Sequence, residues 1–241
     1  MKYILVFVLL CFSIHCTPLQ QATGNLPGSS NNTSGQQKIV AGLKQALTIG
    51  TQNGTNKLSA VDGFFADAAV KILMPSEVKN VENTLRSLGL GSLVDKAILS
   101  VNRAAEDAAK SATPIFVNAI KQMTITDAFG ILQGGDFAAT NYFKSKTTDS
   151  LAAVFKPVIE KSLQKTDATK YWNDIFTAYN QFSTKKVPTD LSAYVTQKAI
   201  DGIFYEVGLE EQKIRKDPAA RVTEILKQVF GSQQASTGNG L

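Results

Sequence analysis

Cys11, His15 and Cys16 hold all the thiol and imidazole chemistry of this chain, because its 241 residues contain two cysteines and one histidine. They sit in "LLCFSIHCTPLQQATG", next to the N-terminus. Lys2 precedes an apolar run from Tyr3 to Ile14. That run is too short for a membrane span, which takes about 20 residues in a helix, and it has the length of a secretory signal's apolar region. Ser13-Ile14-His15-Cys16 resembles a bacterial lipoprotein site, where the peptidase cuts before a diacylglycerated cysteine. The residue before the cysteine is small in such sites, and here it is His15. Ordinary export with cleavage downstream and an uncleaved anchor stay open beside lipidation of Cys16.

Cleavage before Cys16 leaves a mature chain without histidine and with one acylated cysteine. Ser-His-Asp and Cys-His nucleophiles then lack a base. Histidine-ligated zinc and thiolate sites go as well, and no disulfide forms. Carboxylates, lysine, tyrosine and hydroxyls remain. Asn102 and Glu106 are four apart and Arg103 and Glu106 three apart, which puts them on one helical face. Glu210, Glu211, Arg215, Asp217 and Arg221 form a charged group around an expected helix junction, and Asp127, Asp136, Thr140 and Tyr142 belong to a central break. If such residues converged on a cleft, Glu106, Asp136, Asp201, Glu211 and Asp217 would be the acid–base candidates, with Tyr142 as proton donor and Arg103, Arg215 and Arg221 as anion partners. Paired carboxylates could also hold Mg²⁺ or Ca²⁺. The competing reading has the same residues capping helices and fixing helix crossings through charge-assisted hydrogen bonds. No Ca²⁺ loop, phosphate loop or dinucleotide fingerprint occurs, and no metal or cofactor is expected.

The elements that position these residues read as helices almost throughout. After the leader (residues 1–15), Cys16 and the uncharged stretch Thr17 to Gln37 read as a disordered linker, a coil of about 25 Å span. A helical domain is expected over residues 38–231, with a disordered tail over 232–241. Ile39, Leu43, Ala46 and Leu47 open it. Pro75 starts a segment closed by Gly89. Leu93, Val94, Ala97, Ile98, Val101, Ala104, Ala105 and Ala108 form a stripe whose alanines predict a close helix neighbour. Thr124 and Asp127 form a capping box, Gly134-Gly135 stops that helix, and Asp136 is placed to cap the next.

Leu151, Val154, Phe155, Val158, Ile159 and Leu163 form another stripe around Pro157, and Trp172, Ile175, Phe176 and Tyr179 follow. A helix from about Asp190 to Val207 stops at Gly208, and Asp217-Pro218 opens a last one with Val222, Ile225, Leu226 and Val229. Val70 to Met74 is the one strand candidate. The fold class is all-α, a single domain of about seven to nine helices. The net charge is +5 for the whole chain, one less without Lys2, and its basic residues are scattered, so no nucleic-acid partner is expected.

Four segments, "DGFFADAAVKILMP", "NRAAEDAAKSATPIFVNAI", "GGDFAATNYF" and "DGIFYEVGLEEQKIRKDPAARVTEILKQVFG", together resemble a bacterial envelope family catalogued as domain of unknown function 4197, over about Ile39 to Gly231. The resemblance implies an exported, mostly helical protein, and it carries no catalytic residues. Three functions follow as expectations. The first is a non-catalytic binding or structural module of the cell envelope, in the periplasmic space and anchored by Cys16 to the outer membrane, with an envelope protein as partner. The second is a carrier or sensor of an apolar ligand held between helices. The third is a carboxylate-dependent enzyme on an envelope substrate. The Arg103–Glu106 and Glu211–Arg215–Arg221 groups are expected to be internal ion pairs.

Overall fold

Leu43, Ala46, Leu47, Gly50, Thr51, Gly54, Thr55 and Leu58 are buried at three-and-four spacing along one helix. That helix is α1 (Ser30–Ser59). The computed structural model describes residues 30–166 and 189–217, with 169, 172, 173, 176, 177, 180, 181, 184 and 186 between them and 224 and 227 beyond. A 3₁₀ turn (Ser76–Val78) leads into α2 (Lys79–Ser87), followed by α3 (Gly91–Ala109), α4 (Ala112–Gln122), α5 (Ile125–Gln133), α6 (Ala138–Gln164) and α7 (Leu191–Lys216). The class is all-α in one domain, with seven α-helices and no strand among the described residues. No described helix is long and apolar enough to cross a membrane.

Helix α7 is the axis of the bundle and packs most extensively on α6 and α1, then on α3. It buries Val195, Ala199, Ile203, Phe204 and Val207 with the polar Glu206 and Glu211. Two glycines of α1 face it. A Cβ at Gly50 would lie 3.5 Å from Glu210 Cβ, and one at Gly54 3.4 Å from Glu206 Cβ. On α3, Ala104, Ala105, Ala108 and Ala109 are fully enclosed, which is the close helix neighbour expected of them. Phe116 meets Phe143 and Phe204 edge-on at 5.2 and 6.1 Å, the geometry aromatic quadrupoles favour.

Local signals hold at several element ends. Thr124 and Asp127 form the expected capping box, Gly89 ends α2 at φ 80°, and Asp190 caps α7 through the Ala193 N–H. Others differ. α1 opens at Ser30, inside the stretch expected to be a linker, so residues 30–37 are helical. Gly208 does not stop α7, which runs on to Lys216. Gly208 is buried against Phe137, whose ring atoms would lie 3.3 Å from an added Cβ. Residues 70–74 form no strand. Leu93 and Val154, expected inward, are 57% and 38% exposed.

Asp136 does not cap α6. Its carboxylate pairs with Lys216 at 2.6 Å, and the cap comes from α7. Glu211 accepts from the Ala139 and Thr140 N–H groups at 2.9 and 2.8 Å and from the Thr140 hydroxyl at 2.7 Å. Those N–H groups are orphan donors of a helix start, enclosed away from water. Of the expected last helix after Pro218 only Glu224 and Lys227 are described, both helical; Ile175, Tyr179, the leader, Cys16 and the C-terminal tail lie outside the described residues.

Two substitutions test this packing by urea denaturation. Glu211→Ala strands two buried N–H groups and the Arg215 charge, and lowers the unfolding free energy by about 3 kcal/mol. Glu211→Gln keeps an acceptor and loses less. Gly202→Ala puts a methyl 2.6 Å from the buried Phe64 ring, an overpacking that costs about 1–3 kcal/mol. Wild-type midpoints for both alanine variants would contradict the geometry.

Candidate functional site

The segment between α1 and α2 is irregular, and side chains from α3 and α7 hold it in place. It begins with a tight reversal in which Asp62 adopts φ 66°. A Cβ at Gly63 would sit 2.3 Å from the Lys57 carbonyl oxygen, so only glycine fits. The Phe64 and Phe65 N–H groups then both donate to Glu106 Oε1 at 3.2 Å. The other oxygen of Glu106 takes Arg103 at 2.6 Å, and Arg103 also reaches Asp62 at 2.7 Å. Lys57 spans Glu206 and Asp67 at 2.7 and 2.9 Å. Hydrogen bonding to Glu206 and then to Asp67 raises its ammonium to about 12.

Further along, fully buried Asn102 imitates a neighbouring strand. It accepts from the Ile72 N–H and donates to the Ile72 carbonyl, both at 2.8 Å. The Tyr194 hydroxyl donates to the Leu73 carbonyl at 2.8 Å. Burial, with Glu77 adding to it, pushes the Tyr194 phenol up to about 12. These bonds fix Leu73 and Met74 in the lining of a cleft of about 810 Å³.

Leu85 of α2, Leu90 beside it, and Leu93, Val94, Ala97, Ile98 and Val101 of α3 line one side of that cleft. Leu191 and Tyr194 of α7 line the other, with Trp172 and Phe176. Trp172 stacks on Tyr194 with centroids 5.7 Å apart and meets Phe176 edge-on at 4.4 Å. Leu73, Leu90 and Leu93 are 55%, 40% and 57% exposed. The polar lining consists of Lys96, Ser100 and Arg103 on α3, and of Ser162, Lys165 and Thr166 at the end of α6. No carboxylate lines it among the described residues. A second hollow of about 790 Å³, on the far side of Leu73, is of mixed charge, with Lys71, Glu77, Lys198 and Asp201 in its wall.

The carboxylates singled out from the sequence do not meet in either hollow as a pair. Glu106 is occupied by Arg103 and two main-chain N–H groups. Glu211 holds the α6 start and Arg215, the latter at 2.8 Å. Asp136 is an exposed partner of Lys216. Asp201 accepts from Gln197 at 3.0 Å, and Asp217 closes the C-terminus of α7 with its N–H on the Lys213 carbonyl. Tyr142 donates to the Ala119 carbonyl at 3.3 Å, and burial raises its phenol. Arg215 also donates to the Ile131 carbonyl at 2.8 Å.

Of these candidates Arg103 alone lines the large cleft, and Arg221 lies outside the described residues. Among the described residues no group of three acidic, histidine or cysteine side chains could hold a metal ion. The cleft residues carry an apolar signal that the sequence shows only as helical stripes. Leucine on both sides of Gly89, at Leu85, Leu90 and Leu93, is the one mark that sets it apart, since one helix face cannot bury them all.

Residues 33–231 match the family model described as "Protein of unknown function (DUF4197)". The chain belongs to this family. The match runs from within α1 past the end of α7, so the cleft and both buried glutamates fall inside the DUF4197 region. No curated protein and no solved structure matches the chain.

Tyr194 gives the site a pH signature. Its folded-state value lies above the ordinary 10, so its contribution to stability is fully present below pH 10 and is lost as pH rises toward 12. Phenolate absorbance should show a step near 12, and Tyr194→Phe should remove that step while shifting the alkaline end of the stability profile. A wild-type titration with every tyrosine near 10 would contradict the burial of the Tyr194 phenol.

Proposed function

We propose that this domain is a non-catalytic carrier or sensor of an apolar ligand, acting at the bacterial cell envelope. The observation that carries the reading is the cleft itself. About 810 Å³ bordered by leucines, Trp172, Phe176 and Tyr194 falls within the roughly 300–1,000 Å³ of small-molecule sites, which are mostly apolar with a few placed polar groups. Exposed leucines at its margin are what a closed core avoids and what an entry for an apolar molecule requires. Glu106 and Glu211, the most enclosed of the acid–base candidates, are taken up by arginines and main-chain donors, which supports a binding role over a carboxylate-based reaction.

The leader supports export, and Cys16 supports a lipid anchor, with the outer membrane and periplasmic space as location. Cys16 stands 14 residues before the start of α1, so a lipidated chain would hold the domain at a bilayer by the N-terminal end of α1. Two or three acyl chains are needed for firm attachment, since each buried methylene contributes only about 0.8 kcal/mol.

Native mass spectrometry and organic extraction of the full chain purified from cells should recover an apolar species at near one-to-one occupancy. Ala97→Phe, which fills the cleft from a half-buried position, should lose that species while unfolding as wild type does. Wild-type protein free of any apolar species, and unable to take one up, would overturn the binding role. Independently, a clickable fatty-acid analogue fed to cells should label the wild type and spare Cys16→Ala; equal labelling of both, or of neither, would remove the anchor.

A further inference from the structure

The polar part of the cleft lining is one-sided in charge. Lys96, Ser100 and Arg103 stand at i, i+4 and i+7 and form a single line along α3. The end of α6 meets that line, because the Ser100 and Thr166 hydroxyls are hydrogen-bonded at 3.1 Å. Lys165 and Ser162 complete the patch. Three cations and three hydroxyls therefore border an apolar space with no carboxylate in its described lining. Arg103 is already engaged by Glu106 and Asp62. Asp107, held by Lys110 at 2.8 Å and by Ser162 at 3.1 Å, also feels the charge of Lys165. Lys165 also offsets the negative end of α6, a structural use of its charge. Lys96 lies in the second turn of α3, is exposed, and has no ion-pair partner among the described residues.

We infer that the ligand is a single-chain anionic amphiphile, a long-chain fatty acid, with its chain in the leucine-lined cleft and its carboxylate against Lys96 and Lys165. This rests on the apolar-ligand reading above. Size admits a long chain, since about 810 Å³ lies within the roughly 300–1,000 Å³ of sites that enclose small apolar ligands. Charge selects the head group, since an ammonium facing a carboxylate at the edge of an apolar site forms a charge-assisted hydrogen bond that an alcohol does not. The exposed leucines Leu73, Leu90 and Leu93 would let the chain enter from a micelle or bilayer surface without crossing a polar barrier.

The test compares oleate with oleyl alcohol, the same chain without the charge, by calorimetry on delipidated full-length protein. Oleate is expected to bind one-to-one and about tenfold tighter than the alcohol. In Lys96→Ala/Lys165→Ala, both exposed positions, oleate should weaken to the alcohol's level while alcohol binding stays unchanged. Equal binding of the two probes to wild type overturns the fatty-acid assignment and leaves the apolar cleft in place. Binding of neither removes the apolar-ligand reading itself. Retention on phosphatidylglycerol vesicles without uptake of free oleate makes the patch a membrane contact and overturns the assignment. A concentration-dependent dimer that excludes both probes does the same, with a second copy as the occupant.

Discussion

Buried main-chain N–H groups without a partner inside their own element need acceptors, and in this domain two glutamates supply them. Glu106 takes the Phe64 and Phe65 donors just after the reversal at Gly63, and Glu211 takes the Ala139 and Thr140 donors at the start of α6. Each also pairs with an arginine on its own helix, three residues before or four after. The arrangement is demanding, because an unpaired donor in such a place costs about 1–3 kcal/mol. It also couples distant parts of the chain. Through Glu106, α3 fixes the end of the α1–α2 connection; through Glu211, α7 fixes where α6 begins. Asn102 adds the third tie, at Ile72. The cleft is a consequence of these ties. Part of its lining is irregular backbone that would otherwise have no fixed position, and its walls are the helices that hold that backbone.

The sequence carries much of this and misses it in identifiable places. Helix existence was legible from apolar spacing, and the ends at Thr124 and Gly89 from local chemistry. The pairing of Arg103 with Glu106 and of Glu211 with Arg215 was legible from their spacing on a helix. Hidden were the contacts that depend on what another element brings. Asp136 has the right type and position for a cap, yet Glu211, more than 70 residues later, reaches the same donors first. Gly208 reads as a stop by type, but in place it is the gap into which Phe137 fits. The polar half of α1, "TIGTQNGTNKLS", has too few large apolar residues to read as a buried face. It is buried because α7 packs along it, at Gly50 and Gly54 among others.

The site was the least legible part. Trp172, Tyr194 and the α3 stripe all read as core, since periodicity reports which face turns inward and not whether the space there is filled. Lys96 and Lys165 read as ordinary solvated charges, and only the assembled fold puts them on one margin of an apolar cleft. The acid–base candidates show the reverse case. Their types and spacing suit chemistry, and their surroundings give them to backbone donors and arginines.

The central claim is that this cleft is a place for a ligand and not merely a loosely packed end of the bundle. Trp172 is the only tryptophan in the chain and it lines the cleft, so its fluorescence reports that space alone. Titration with a long-chain amphiphile brominated near the middle of its chain, below its micelle concentration, should quench Trp172 saturably with one-to-one stoichiometry, and an unbrominated competitor should restore the emission. Quenching that rises linearly without saturation, or that no competitor reverses, would contradict the account.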